Sequence, residues 1–205
     1  MSQERSGRIR PLTPLGLGWP NILSVFRILL VPVLVALLLA RRDPTDIAAA
    51  AVFAVGATTD LLDGYLARRW GISTRTGQWL DPLADKLLVA APVVTLTVIH
   101  RFPLLAAIVI LAREVLVTGL RVYLGSRGRG MPASWVAKLK TAFQLLAILL
   151  YILPLPDGFR AAKLTVLVVA VALTVLTGAD YSLRARGLAR AAEPSRAEEH
   201  GGREG

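Results

Sequence analysis

The chain has 205 residues, 54% of them hydrophobic, with 24 Lys and Arg against 14 Asp and Glu, a net charge of +10, and no cysteine. Its mean hydropathy of +0.56 is too high for a water-soluble domain of this size, and its apolar runs are long enough to cross a bilayer. The missing cysteines exclude disulfides, a thiolate nucleophile and a Cys-built zinc site. The basic excess is read as loops facing anionic headgroups, with no nucleic acid as partner.

Residues 1–21 form a basic N-terminal segment in which Pro11, Pro14, Gly16, Gly18 and Pro20 break helix. A short piece carrying Trp19 is expected at the headgroup level, with Asn21 as helix cap and Ser24 in the first turn. The first span is placed at about residues 22–40. It is read as a retained span, because its apolar run is long and no small-residue cleavage site follows. Pro32 interrupts it. Arg27 lies one or two turns inside, where it either points toward the carboxylates of the next two spans or snorkels to the interface.

After a turn at Arg41–Pro44, spans are expected at about 46–69, 79–99, 104–124, 134–153 and 159–179. The expected fold is an all-α integral membrane protein of six transmembrane helices. Its domain covers 22–183, followed by a charged, Gly-rich tail over 184–205 that is expected to be disordered. Six spans put both termini on one side. With that side cytoplasmic, the outer loops hold only Arg41, Arg42, Arg101, Arg160 and Lys163, and the basic excess faces in.

The second and third spans carry the chemistry. Asp60, Asp63, Gly64, Ala67 and Arg68 fall on one side of a helix at about 100° per residue. Asp81 and Asp85 are one turn apart on the next helix. A short connecting loop lets both helices direct their carboxylates into one space. Carboxylates held that close repel unless cations lie between them. Oxygen donors without Cys or His suit a hard divalent ion such as Mg²⁺ or Mn²⁺. Gly64 and Gly77 leave room for close approach to the backbone, and Arg68 offers a fork for phosphate oxygens. The expected ligand is a metal-bound phosphate or diphosphate. A lone aspartate in an apolar helix can equally be a cap or a polar contact. That reading does not explain the whole set in register with Gly and Arg.

The pattern D-x₂-D-G-x₂-A-R-x₈-G-x₃-D-x₃-D is met at all eight specified positions from Asp60 to Asp85. It resembles the CDP-alcohol phosphatidyltransferase family, whose six-helix membrane fold would cover most of the chain. The resemblance implies two divalent ions held by Asp60, Asp63, Asp81 and Asp85, with Asp81 bridging and Asp85 doubling as general base. It also implies a nucleotide and diphosphate site lined by Asp63, Gly64, Arg68, Thr74 and Gly77, touched by Asn21 and Ser24, and a homodimer. Asn21, Leu23, Ser24 and Arg27 loosely fit the family's N-terminal helix pattern.

Asp81-Pro-Leu-Ala-Asp85-Lys86, Arg113-Glu114 with Gly119-Leu-Arg121, and Lys138-Leu-Lys140-Thr141 with Gln144 look like one branch of that family. Its members move a phosphatidyl group from CDP-diacylglycerol to sn-glycerol 3-phosphate and release CMP. Arg113, Arg121, Lys138 and Lys140 would then meet the acceptor's phosphate. The plainer alternatives are the positive-inside rule for the two lysines and an Arg113–Glu114 ion pair. Branches making phosphatidylinositol phosphate, cardiolipin or phosphatidylserine share the core motif. A transporter with a cation site is the rival outside enzymes, and it leaves the Gly and Arg positions unexplained.

Overall fold

The structure is a computed structural model. It describes the backbone of residues 19–70, 77–125 and 135–190, and the side chains of 22–60, 82–125 and 135–185. The described residues are all-helical, with no strand: α1 (Trp19–Leu39), α2 (Asp43–Trp70), α3 (Gly77–Val98), α4 (Leu104–Gly125), α5 (Trp135–Ile152) and α6 (Arg160–Arg190), with a short 3₁₀ turn at Asp157–Phe159. Among them, Ile22–Leu39, Trp135–Ile152 and Asp157–Ala185 are long and apolar enough to cross a membrane. In α4, which is described throughout, Arg113, Glu114 and Arg121 interrupt the apolar run.

Two expectations are corrected. α1 begins at Trp19, so Asn21 lies inside its first turn and does not cap it. Pro20 suits that position, since its missing N–H and fixed φ are harmless in a first turn. α6 runs on to Arg190, so residues 184–190 are helical. There Arg184 Nε donates to Asp180 Oδ1 at 2.8 Å, a side-chain pair spanning one turn.

The helix ends follow from local chemistry. α2 opens with Asp43 and Asp46 in its first turn, where negative charge meets the positive end of the helix dipole. The Arg42 N–H donates to Thr45 Oγ1 at 3.2 Å, and that hydroxyl donates back to the Arg42 carbonyl at 2.7 Å. α3 ends in a Schellman motif. The His100 N–H reaches the Thr97 carbonyl at 3.0 Å, and the Arg101 N–H reaches the Leu96 carbonyl at 2.8 Å. His100 takes φ 61°, and Arg41 takes φ 53° after α1. Both stand where glycine is usual.

The chain divides into two compact units, Met1–Thr95 and Leu96–Gly205. In the first, α1 packs along α2, and Leu34, Leu38, Ala49 and Phe53 on these helices and Ala84 and Leu88 on α3 are buried. A Cβ added to Gly56 would lie 2.8 Å from Leu88 Cδ1. The bare glycine thus lets α3 approach α2 closely. Gly56 and Asp60 share one face of α2, and Leu88 and Asp85 share one face of α3. This contact therefore sits one turn from the two aspartates. In the second unit, α6 packs on α4 and α5 around Ile110, Val117, Ile148, Leu167 and Ala170.

The burial pattern reverses that of a soluble domain. Arg27 is 0% exposed, while Leu105 and Val115 are 75% and 74% exposed. Charged groups turned inward and large aliphatic groups turned outward suit a hydrocarbon surround.

Candidate active site

In the first unit, α1, α2 and α3 bring three charged side chains to one point. Arg27 Nη1 donates to Asp60 Oδ1 at 2.7 Å. The same nitrogen donates to Asp85 Oδ1. Of the two readings of Arg27, the inward one holds. Two carboxylates about 5 Å apart repel by roughly 3 kcal/mol at an effective dielectric near 20. A guanidinium between them reverses that sign. Its own burial is tolerable only because acids meet it, since an unpaired buried charge costs about 3–5 kcal/mol. Ser24, one turn before Arg27 on α1, is also buried.

The helices fix the depth of this point. Arg27 and Asp85 each lie eight positions beyond the start of their helices, and Asp60 ten positions before the end of α2. At 1.5 Å rise, these offsets are about 12 Å and 15 Å along the axes. Both carboxylates remain open to ligands, with side chains 28% exposed for Asp60 and 42% for Asp85.

Asp63, Gly64 and Arg68 continue α2 beyond Asp60, and Gly77 and Asp81 begin α3. Their side chains, that of Asn21, and Thr74 altogether lie outside the described residues. Among those described, no group of three His, Cys, Asp or Glu forms. The donor chemistry of Asp60 and Asp85 still fits a hard divalent cation: oxygen only, anionic and part-exposed. Two carboxylates do not complete such a shell.

The second unit holds a different cluster. Lys140 Nζ donates to Glu114 Oε1. Arg113 Nη1 lies 3.4 Å from the same oxygen, and its Nη2 donates to Thr177 Oγ1 at 3.2 Å. The Arg113 stem rests on α6 where Gly178 has no Cβ; one would lie 3.2 Å from Arg113 Cγ. Gln144, one turn after Lys140, is buried with its Oε1 unpartnered, as is Arg113 Nε. Arg121 Nη2 donates to Tyr181 Oη at 3.1 Å, with its guanidinium 5.6 Å from the ring centre. Lys138 is exposed.

The four cations expected at an acceptor phosphate are therefore not equivalent. Glu114 balances Arg113 and Lys140 together, while Arg121 meets a neutral phenol. The residue that sequence reasoning undervalued is Glu114, read only as a partner for Arg113. Arg27 was likewise left outside the candidate set. The available signal for both was the cost of a charge inside an apolar run.

Residues 17–176 match the CDP-alcohol phosphatidyltransferase family. The chain belongs to that family. It is 40% identical over 168 residues to a probable phosphatidylglycerophosphate synthase of Mycobacterium tuberculosis (strain ATCC 25618 / H37Rv), covering 80% of each chain. It is 37% identical over 172 residues to the CDP-diacylglycerol–glycerol-3-phosphate 3-phosphatidyltransferase of Escherichia coli (strain K12), covering 82% of this chain and 94% of that one. Family members are membrane-embedded and generally use a divalent metal.

Proposed function

We propose that the protein is a glycerol-3-phosphate 3-phosphatidyltransferase. It moves the phosphatidyl group of CDP-diacylglycerol to sn-glycerol 3-phosphate, giving phosphatidylglycerophosphate and CMP. The observation that carries this reading is the motif from Asp60 to Asp85, whose first and last aspartates meet on one guanidinium nitrogen. The likeness over most of the chain to proteins named for this transfer supports the choice of acceptor.

In this reading Asp60, Asp63, Asp81 and Asp85 hold two Mg²⁺ or Mn²⁺ ions. Bound divalent ions supply positive charge against the diphosphate and the departing CMP. Arg68 adds a fixed guanidinium for phosphate oxygens. Gly64 and Gly77 leave the backbone open to the nucleotide, with Asn21, Ser24, Asp63 and Thr74 completing its site. Asp85 accepts the proton of the acceptor hydroxyl. The hydroxyl oxygen bonds to the lipid-side phosphorus as the bond from that phosphorus to the CMP oxygen breaks. Arg113, Arg121, Lys138 and Lys140 supply positive charge for the acceptor's own phosphate. The six helices span the cytoplasmic membrane with both termini and the aspartates on the cytoplasmic side, where nucleotides are.

The test is an acceptor panel. Purified protein in detergent, with CDP-diacylglycerol and Mn²⁺, is given sn-glycerol 3-phosphate, inositol phosphate, inositol, serine or phosphatidylglycerol, and radiolabelled lipid is counted. Glycerol 3-phosphate should be the preferred acceptor. Preference for another would refute the acceptor and leave phosphatidyl transfer standing.

A further inference from the structure

We propose that Arg27 is a positioning residue: a built-in counter-cation that holds Asp60 and Asp85 together whenever no other cation lies between them. One nitrogen, Nη1, donates to both carboxylates. The two acids come from α2 and α3, which run close together where Gly56 admits Leu88. The arginine comes from α1, which packs on α2. Its side chain is fully buried while those of both acids are part-exposed. Arg27 thus meets the acids from the interior, while both carboxylates keep exposed surface.

The same-sign charges on α2 and α3 would otherwise push the helices apart at the point where the chemistry needs them together. Guanidinium suits the role. It stays charged at any working pH and offers several donors in a fixed plane, so it holds a separation as well as neutralising it. An ammonium would neutralise without fixing the same geometry. The metal-dependent part of the test rests on the proposed reading of these aspartates as metal ligands. The metal-free part does not.

The experiment is a thermal-unfolding cycle on the full chain in detergent, in EDTA and then with MnCl₂. In EDTA, Arg27→Gln should melt roughly 5–10 °C below wild type, because it leaves two carboxylates facing each other. Adding Asp85→Asn to Arg27→Gln should raise the melting temperature by removing that repulsion. Asp85→Asn alone should not raise it, because it only removes a partner of Arg27. A structural role in packing would not produce this reversal of sign. If Arg27→Gln does not fold, recovery of a folded protein by the added Asp85→Asn gives the same answer. A double variant no more stable than Arg27→Gln overturns the proposal, as does an Arg27→Gln that melts with wild type. Mn²⁺ should raise the melting temperature of Arg27→Gln more than that of wild type, because the ion takes over the missing charge. With recovery in EDTA, absence of any Mn²⁺ response in wild type and variants would refute the metal-ligand reading and uphold the role of Arg27.

Discussion

At the scale of single residues, the second unit turns on Glu114. It is the acid that makes a buried Lys140 tolerable, and Arg113 leans on the same oxygen. Glu114→Gln keeps the volume and leaves Lys140 as a buried ammonium without its carboxylate. Such a break costs about 3–5 kcal/mol. The variant should therefore unfold at clearly lower temperature, read by tryptophan fluorescence or a thiol-free dye assay in detergent. An unchanged melting temperature would mean that Lys140 reaches solvent or another acid. The aspartates were legible in the sequence because their spacing is a helical register, and register survives without knowledge of packing. Arg27 is legible as a charge inside an apolar run with two exits, toward the carboxylates or to the interface. Choosing between its two exits needed the positions of α2 and α3. The linkage of Lys140 to Glu114 joins residues 26 positions apart, and no local period encodes that.

At the scale of helices, Gly56 sets how closely α3 approaches α2. Its bare Cα allows Leu88 within contact, and Asp60 and Asp85 lie one turn away on the same faces. Gly56→Val should push α3 off α2 and cost about 1–3 kcal/mol through overpacking. It should also reduce transfer activity by displacing Asp85 relative to Asp60. Leu88→Ala in the same chain should restore much of both, because the far end of Leu88 is what the new side chain would strike. Failure of Leu88→Ala to improve either the melting temperature or the activity of Gly56→Val would break this link. The helices themselves were readable. Apolar runs between turn signals at Arg41–Pro44, His100–Pro103 and Pro154–Gly158 give most of their limits. The ends of α1 and α6 were not, for opposite reasons. Proline at the start was read as a breaker when it sat in a first turn. The charged stretch after Arg184 was read as a tail when Asp180 and Arg184 could pair along a continuing helix.

At the scale of the molecule, large aliphatic side chains such as Leu105 and Val115 are exposed, while Arg27 and Lys140 are buried in ion pairs. Ionic groups lie also on helices long and apolar enough to cross a membrane: Arg27 on α1 and Lys140 on α5. The six-span reading needs its own test. The chain has no cysteine, so single cysteines report without background. Gly128→Cys and Asp157→Cys should label from opposite faces of sealed vesicles, with position 128 cytoplasmic. Labelling of both from one face would contradict six spans.

Phosphatidyl transfer to glycerol 3-phosphate is proposed to occur at the Asp60–Asp85 site. It is tested most directly by CMP release from CDP-diacylglycerol in saturating Mn²⁺, comparing wild type with Asp85→Asn, each with and without sn-glycerol 3-phosphate. The account predicts that wild type releases CMP only when the acceptor is present, and that Asp85→Asn lowers this release by about 10²–10⁴-fold. Release by Asp85→Asn at the wild-type rate, or wild-type release indifferent to the acceptor, would contradict it.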